Sequence, residues 1–193
     1  TTMIRLDLPL DEESVRKLRV GDEVTLHGVM VTARDAAHTY LLHEDPPEDL
    51  KAILRGGCIY HCGPVVEGER IIAAGPTTSA RMDALTRFLL DAGVRGIIGK
   101  GGMGKEVVEL LRGRAVYFAF TGGCAALAAS RMRLRGVHFP DLGMAEAVWV
   151  IGLDRLPLVV GIDAHGNDIF ERVREEAKAQ CQARLHISLG TSP

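Results

Sequence analysis

The sequence predicts a compact, layered α/β domain with a mixed β-sheet. Strand-like and helix-like segments are mixed in the first third of the chain, and they alternate from Gly75 onward. A hydrophobic content of 47% can supply a sizeable core in a chain of 193 residues. Because no internal repeat or long linker divides the chain, we assign residues 1–193 to a single domain.

Hydrophobic periodicity and turn residues set the elements predicted in the first part of the chain. A helix at 12–18 precedes the polar turn Gly21-Asp22, and an alternating strand follows at 24–33. The next helix, 34–44, is ended by Pro46-Pro47, because proline removes a backbone donor. A short helix at 48–55 and strands at 58–62 and 70–74 complete this part.

Helices and strands alternate after the Gly-Pro turn at 75–76. Apolar residues recur at helical spacing from Met82 to Ala92, and Gly93 is placed to cap that helix. Strands are predicted at 96–99, 115–120, 148–152 and 158–162, the last two joined by a turn. Helices are predicted at 105–112, 124–130 and 167–180, the last with Ile169, Phe170, Val173 and Ala177 facing inward.

Charge and composition argue against several classes of protein. A net charge of −2 gives no positive surface for nucleic acid. No apolar run approaches the roughly 20 residues that span a bilayer, and residues 1–10 lack the apolar region of a signal peptide. We therefore expect a soluble, cytoplasmic protein that binds neither nucleic acid nor membranes.

The spacing of the four cysteines argues against a metal site in this chain. Cys58 and Cys62 lie in one predicted strand, where residues four apart are separated by about 13 Å, too far to chelate one ion. Cys124 and Cys181 lie in separate segments, and no CxxC pair is present. We expect buried, reduced thiols and no metal ligands.

Residues 75–83 (GPTTSARMD), called here the 75–83 segment, carry the strongest functional signal. If a helix begins near Thr77, its free N–H groups and dipole attract an anion. Thr77 and Arg81 would share a face, one turn apart. Together these groups are typical of a carboxylate or phosphate site. The alternative is a capped helix, with Thr77 or Thr78 as N-cap and Arg81 in solvent.

Two further clusters contain a candidate cation. Arg34 lies where a predicted strand gives way to a helix, and the alternative is a surface arginine near a helix start. Residues 99–106 (GKGGMGKE) nearly match the phosphate-loop pattern G-x-x-x-x-G-K-[ST], but Glu106 replaces the hydroxyl that holds Mg²⁺. A nucleotide site is therefore the weaker alternative to a smaller anion bound by Lys100.

Arg34, Arg81 and Lys100 each lie at the edge of a predicted element. Three such cations suit a dicarboxylate whose two ends are both bound. Thr77 adds a hydroxyl that can move a proton, provided that neighbouring charge activates it. The residues therefore predict a dicarboxylate site, and by themselves they leave the role of the Thr77 hydroxyl open.

The histidines give weaker signals, as does the second threonine. His38 follows Arg34 by one helical turn and is a second-rank candidate for the same pocket. Thr78 is a second-rank candidate as well. His61 is expected in the core or at an interface, and His165 in a turn.

These motifs resemble the C-terminal module of class I iron–sulfur fumarases and the related β subunits of L-tartrate dehydratases. The 75–83 segment, followed by IGKGGM at 98–103, is the most specific part. The resemblance covers nearly the whole chain in order. It includes RDAAH at 34–38, IYHCGP at 59–64, GGCAAL at 122–127 and LGMAEA at 142–147.

The resemblance implies a swivelling β/β/α domain that forms a separate β subunit. It also implies that an α subunit holds a [4Fe–4S] cluster whose open iron is a Lewis acid, and that this chain holds no metal. By motif match, Arg34, Arg81 and Lys100 would bind substrate carboxylates, and Thr77 would be the catalytic base. The expected assembly is a heterotetramer of two α and two β subunits.

We therefore predict the β subunit of a hydro-lyase that interconverts fumarate and (S)-malate and is inactive without its α subunit. The closest alternative is an L-tartrate dehydratase β subunit. A stand-alone anion- or nucleotide-binding module would rest on residues 99–105. A structural partner domain would leave Arg34, Thr77, Arg81 and Lys100 without a shared pocket.

Overall fold

The computed structural model describes residues 3–120 and 125–189. Within these ranges the chain forms nine β-strands and seven α-helices. The strands are β1 (Ile4–Asp7), β2 (Glu23–Thr32), β3 (Cys58–Tyr60), β4 (Val65–Glu67), β5 (Arg70–Ala73), β6 (Gly96–Gly99), β7 (Val116–Ala119), β8 (Met132–His138) and β9 (Val148–Ile162). The helices are α1 (Glu12–Lys17), α2 (Asp35–His43), α3 (Glu48–Leu54), α4 (Asp83–Asp91), α5 (Lys105–Leu111), α6 (Ala125–Ser130) and α7 (Ile169–Leu189).

Seven strands form one mixed sheet in the order β1-β2-β3-β6-β7-β9-β8. The first five of these run parallel to their neighbours. β9 pairs antiparallel with β7, β8 and β2. Because β9 pairs with both β2 and β7, the strands β2, β3, β6, β7 and β9 form a closed ring. β4 and β5 form a separate hairpin. The predicted α/β class with a mixed sheet is confirmed.

The central strands are buried on both faces, because alternate residues of a strand point to opposite sides. Tyr60 and Ile98 belong to one hydrophobic cluster, which includes residues of β1, β2, α1 and β9. Ile59 and Ile97 belong to a second cluster, which includes apolar residues of α2, α3, α4 and α5. Helices α2 to α5 therefore cover one face of the central strands.

Most predicted elements lie where the sequence places them. β6 has the predicted bounds, and α1, α2, α3 and α5 end within one residue of theirs. The patterns do not predict β1, β4 and β8. The first two are only 4 and 3 residues long, and β8 (MRLRGVH) carries charged and exposed positions that weaken its hydrophobic signal.

The prediction of two strands at 148–152 and 158–162 is wrong, because β9 is one strand of 15 residues. The intervening residues resemble a turn but stay within the sheet. Arg155 takes a left-handed φ of 51°, and Pro157 remains paired with Thr25 of β2. A register shift between Leu26 and Gly28 accommodates the irregularity.

Helix α7 differs from its prediction in length and in packing. It extends to Leu189 instead of ending at 180. Phe170 packs against the second cluster, but Val173 is 56% exposed and Ala177 is also exposed. The predicted inward face is therefore wrong beyond the first turn. Among the described helices, α7 included, none combines the length and apolar character needed to cross a membrane.

Candidate active site

The candidate residues lie at the carboxyl ends of three neighbouring parallel strands. Arg34 follows β2, His61 follows β3 and Lys100 follows β6. The carboxyl ends of parallel strands meet at one edge of a sheet, the usual place for ligands in α/β proteins. The strand order therefore brings Arg34 and Lys100 to the same edge, with the end of β3 between them.

Backbone hydrogen bonds fix the 75–83 segment at this edge. The Thr77 N–H donates to the His61 carbonyl over 2.7 Å, and the Lys100 N–H donates to the Thr77 carbonyl over 3.3 Å. The Ser79 N–H donates to the Lys100 carbonyl over 3.1 Å. Thr78 and Lys100 form a short parallel bridge. Thr77 and Lys100, far apart in sequence, are therefore neighbours.

The helix predicted to begin near Thr77 begins later. Ser79–Met82 forms a 3₁₀ turn, and α4 starts at Asp83. Thr78 precedes the 3₁₀ turn and is exposed, but its side chain makes no capping hydrogen bond. The amides of Thr77 and Ser79 donate to backbone carbonyls. The amides of Thr77 and Ser79, at the predicted helix start, are therefore not free to bind an anion.

Arg81 links the 75–83 segment to the start of α2. Its Nη2 atom donates to Thr77 Oγ1 over 3.3 Å and to Asp35 Oδ2 over 2.9 Å. The Arg81 side chain is 48% exposed, so a ligand can reach it. Because Asp35 directly follows Arg34, this ion pair brings the start of α2 next to Thr77.

Arg34 lies beside Glu146, which also fixes the start of α2. Arg34 Nε is 3.7 Å from Glu146 Oε1, and Glu146 Oε2 accepts the N–H of Ala36 over 3.0 Å. Arg34 Nε is buried and makes no hydrogen bond within the described ranges. The Arg34 side chain as a whole is 28% exposed, so a ligand can reach it through atoms other than Nε.

The candidate residues at this edge of the sheet and the carboxylates beside them carry more positive than negative charge. Arg34, Arg81 and Lys100 contribute three cations, against the carboxylates of Asp35 and Glu146. Lys100 is exposed. Three cations at one edge of the sheet suit a small anion, because charge-assisted hydrogen bonds to carboxylates are the strongest such bonds in proteins.

His38 is buried behind the backbone of Arg34 and does not line the surface. Its Nδ1 lies 2.7 Å from the Arg34 carbonyl oxygen. Because a carbonyl only accepts, Nδ1 carries the hydrogen and donates it. Burial lowers the pKa of His38, so the ring is neutral near pH 7. His38 thus holds the Arg34 main chain in place.

The phosphate-like loop at 99–106 is occupied by the protein's own groups. The Gly104 N–H donates to Asp83 Oδ2 over 2.8 Å, and Lys105 pairs with Glu171 at 2.9 Å. Desolvation raises the pKa of Asp83, with Glu106 contributing in the same direction. The Asp83 carboxylate therefore accepts the Gly104 N–H, which a phosphate in this loop would need as a free donor.

The thiols described by the structure are not arranged as metal ligands. Cys58 and Cys62 are buried and unpaired, and Cys181 is exposed. Burial raises the pKa of the Cys62 thiol to about 12, against a smaller lowering by Arg34. Within residues 3–120 and 125–189, no three side chains of the His, Cys, Asp or Glu type form a metal-binding group. Cys124 lies outside the described residues.

Comparison with known proteins decides the family. Residues 1–173 match the model of the family described as Fumarase C-terminus. The chain belongs to this family. The resemblance inferred from the motifs is thereby confirmed, over most of the length on which it was inferred.

Pairwise comparison with individual proteins agrees with this family assignment. The chain is 41% identical over 177 residues to a putative L(+)-tartrate dehydratase subunit beta of Methanocaldococcus jannaschii, covering 86% of this chain and 91% of that protein. It is 38% identical over 173 residues to the L(+)-tartrate dehydratase subunit beta of Escherichia coli (strain K12), covering 86% and 85%. It is 37% identical over 183 residues to a putative class I fumarate hydratase of Geobacillus stearothermophilus, and spans 35% of that protein.

In this member of the Fumarase C-terminus family, the sequence patterns did not single out the carboxylates that orient the cations. Asp35 lies within the RDAAH motif and Glu146 within LGMAEA, so the motifs themselves carried a usable signal. Ser79 of the 75–83 segment contacts Tyr117, and nothing in the sequence indicated that these two residues form a pair. Their contact depends on strand order, which periodicity does not reveal.

Proposed function

We propose that this chain is the β subunit of a hydro-lyase that reversibly hydrates fumarate to (S)-malate in an active site shared with an α subunit. The observation that carries the proposal is the position of Thr77. Its hydroxyl contacts Arg81, and its backbone is bonded to Lys100. The Arg81–Asp35 ion pair adds the start of α2, where Arg34 lies. A dicarboxylate needs cations at both ends and a proton acceptor near its middle.

The three cations bind and orient the substrate carboxylates. Arginine binds a carboxylate through two parallel N–H groups, whereas lysine is a compact point charge. Arg34 and Arg81 therefore set the orientation of the substrate, and Lys100 adds charge from the neighbouring strand end. A carboxylate fixed in this way also withdraws electrons from the adjacent carbon, which makes the proton on that carbon easier to remove.

Thr77 holds the proton that leaves this carbon in the direction of dehydration. Removal of a proton from one carbon and of hydroxide from its neighbour converts malate to fumarate and water. A threonine hydroxyl is a weak base, and it needs a neighbouring positive charge to stabilise its alkoxide form. Arg81, 3.3 Å from Thr77 Oγ1, supplies that charge.

The α subunit holds the [4Fe–4S] cluster in this proposal. Among the residues that the structure describes, the thiols of Cys58 and Cys62 do not fit a cluster, because they are buried and desolvation raises their pKa values. When bound, such a cluster supplies Lewis-acid chemistry. The residues of this chain bind the substrate and exchange its proton.

L-Tartrate dehydration is the second candidate. It is favoured by the names of the relatives that the chain covers most fully, the tartrate dehydratase β subunits, of which it spans 85% and 91%. Tartrate is also a dicarboxylate, with one more hydroxyl than malate, so the same cations suit both substrates. The lower-ranked alternative, a nucleotide-binding module, is disfavoured by the bond from Gly104 to Asp83.

The finer features of the proposal follow from the same family. Residues 1–193 would form one domain of the swivelling β/β/α type, and two such β subunits would assemble with two α subunits. We place the enzyme in the cytoplasm, where the free thiols of Cys58, Cys62 and Cys181 stay reduced.

The experiment that tests the function combines the full chain with its cluster-bearing α subunit under anaerobic conditions. Fumarate hydration and tartrate dehydration are measured on the same complex. The proposal expects fumarate hydration. A complex that dehydrates tartrate and ignores malate would establish the second candidate instead. Tight binding of Mg²⁺-ATP by the chain alone would favour the nucleotide-binding module.

A further inference from the structure

A continuous chain of buried hydrogen bonds runs beneath the candidate active site. His61 Nδ1 lies 2.8 Å from Ser79 Oγ, Ser79 Oγ lies 3.1 Å from Tyr117 Oη, and Tyr117 Oη lies 2.7 Å from the Gly101 carbonyl oxygen. The side chains of His61, Ser79 and Tyr117 are fully buried. We call these three residues the buried relay. Apart from His61 Nε2, which is buried without a hydrogen-bond partner among the described residues, their side-chain polar atoms are bonded to one another in a region shielded from water, where hydrogen bonds strengthen one another.

The direction of each hydrogen bond in the buried relay can be worked out from the Gly101 end. The Gly101 carbonyl only accepts, so the single phenolic hydrogen of Tyr117 is donated to it. Tyr117 Oη must then accept the hydroxyl hydrogen of Ser79. Ser79 Oγ in turn accepts from His61, so the hydrogen of the neutral His61 ring is on Nδ1. Burial keeps the pKa of His61 well below its ordinary value, with a smaller contribution from His38 in the same direction.

The buried relay joins the end of β3 to the two segments that carry Thr77 and Lys100. The His61 carbonyl accepts the N–H of Thr77. Ser79 lies two residues after Thr77, and its N–H donates to the carbonyl of Lys100. Gly101, the acceptor at the far end, directly follows Lys100. Gly101 has a φ of 74°, so the loop turns sharply at the residue that Tyr117 fixes.

Close packing leaves the buried relay little freedom to rearrange. A Cβ atom added to Gly99 would lie 1.7 Å from Ser79 Oγ and 3.1 Å from Tyr117 Oη. The ring of His38, which holds the Arg34 carbonyl, packs against His61 with the ring centroids 5.3 Å apart. The start of α2 is therefore in contact with the same buried group.

We infer that His61, Ser79 and Tyr117 are positioning residues, which hold Lys100 and Thr77 at the separation that the substrate requires. For the identity of the substrate, this inference rests on the proposed function. The coupling between the segments of Thr77 and Lys100 does not depend on it, because it arises from hydrogen bonds within the chain. None of the three side chains needs to touch the substrate. Their effect reaches it through Gly101 and Lys100 at one end and through the Thr77 backbone at the other.

The first test replaces Tyr117 by Phe, which removes only the hydroxyl at the end of the buried relay. A buried hydrogen bond contributes enough that KM for the dicarboxylate should rise about tenfold, because the loop that carries Lys100 loses its hydrogen bond at Gly101 and is held less firmly. We expect kcat to change less than KM. A merely structural role would lower the amount of active enzyme, so that kcat fell and KM stayed constant.

The second test uses the two amide analogues of His61. In His61→Asn the amide nitrogen lies the same number of bonds from the backbone as Nδ1, so it can still donate to Ser79. In His61→Gln it lies one bond further away. The inference expects His61→Asn to keep a KM near that of the wild type and His61→Gln to resemble Tyr117→Phe. Equal losses in both variants would overturn it.

The matched control is Thr86→Val, which removes another fully buried hydroxyl hydrogen bond, to the Met82 carbonyl over 3.1 Å. This bond joins Thr86 of α4 to Met82, the last residue of the 3₁₀ turn, and it is not one of the hydrogen bonds of the buried relay. KM should therefore be unchanged in Thr86→Val. A rise in KM equal to that of Tyr117→Phe would show that any loss of buried bonding acts in this way, and would overturn the inference.

Hydrogen exchange separates the inference from the proposed function. Amide exchange at Ser79 and Lys100 is measured on the full-length wild-type chain and on Tyr117→Phe, alone and with the α subunit. Faster exchange at both amides in the variant supports the coupling even if the wild-type complex turns over no dicarboxylate, in which case the proposed function fails. Unchanged exchange together with unchanged KM in an active complex overturns the inference.

Discussion

Arg81 donates a hydrogen bond from Nη2 to the hydroxyl oxygen of Thr77 over 3.3 Å. A guanidinium is charged at every physiological pH, so Thr77 has a permanent cation beside it. The same Nη2 atom also bonds Asp35, which fixes where that charge lies. This relationship gives the weakly basic hydroxyl of Thr77 the neighbour that proton removal requires.

The first prediction concerns Thr77 itself. Thr77→Ala removes the proposed proton acceptor and leaves the cations in place. Since general acid–base groups contribute about a hundredfold to ten-thousandfold to the rate, kcat of the reconstituted complex should fall by that amount. Assembly with the α subunit, followed by size-exclusion chromatography, should be unchanged. Thr78→Ala, at the exposed neighbouring hydroxyl, should have a smaller effect; a larger one would exchange the roles of the two threonines.

The second prediction concerns the shape of the Arg81 side chain. Arg81→Lys keeps the charge but loses the planar pair of donors, so KM should rise about tenfold or more in steady-state kinetics. Arg114→Lys is the matched control. Arg114 pairs with Asp91 at 2.7 Å and is 41% exposed, close to the 48% of Arg81, but lies away from the site. Identical kinetics for the two variants would argue that Arg81 does not bind substrate.

The third prediction separates the dicarboxylate site from a nucleotide site. Lys100→Met should weaken binding of the dicarboxylate, because it removes one of the three cations. Lys105→Met should leave it unchanged, since Lys105 is 87% exposed and pairs with Glu171. Kinetics and calorimetry on the complex measure both. If Lys105→Met instead abolishes binding of Mg²⁺-ATP to the chain, the nucleotide-binding alternative is correct.

The fourth prediction concerns stability and pH. Burial lowers the pKa of His38 and His61 below the ordinary imidazole value of 6.5. As the pH falls through about 6.5, the unfolded chain therefore takes up protons that the folded chain does not. The contribution of these two histidines to the free energy of unfolding is therefore largest above about pH 6.5. It decreases below it, by up to about 1.4 kcal/mol per pH unit for each histidine.

Denaturant titrations of the full chain between pH 5 and 7 test this dependence. His61→Asn cannot take up a proton at this position, so its free energy of unfolding should vary less steeply with pH than that of the wild type. His43→Asn, at an exposed histidine of α2, serves as the control. A wild-type slope in His61→Asn would contradict the prediction.

The sequence predicted much of the fold because local signals are strong where strands are buried and helices are interrupted. Pro46-Pro47 ends α2, and the apolar run at 96–99 gives β6 its bounds. Local signals failed at β9. Its Arg155 and Pro157 resemble a turn, but pairing with β2 keeps them in the strand. Tertiary pairing overrides local preference in such cases.

In the candidate site too, local residue types could be interpreted from the sequence, whereas long-range contacts could not. The residue types in the 75–83 segment pointed to an anion site, and family motifs added roles for Arg34 and Lys100. The ion pair of Arg81 with Asp35 joins residues 46 positions apart, and the contact of Ser79 with Tyr117 joins residues 38 apart. Contacts of this kind follow from the strand order β2-β3-β6-β7, which no periodicity encodes.

The most direct test of the central claim is fumarate hydration by the anaerobically reconstituted complex of this chain with its α subunit, measured for the wild type and for Thr77→Ala. The account predicts malate formation by the wild-type complex, and a rate lower by about a hundredfold or more for Thr77→Ala at unchanged assembly. Near-normal turnover by the assembled Thr77→Ala complex would contradict it.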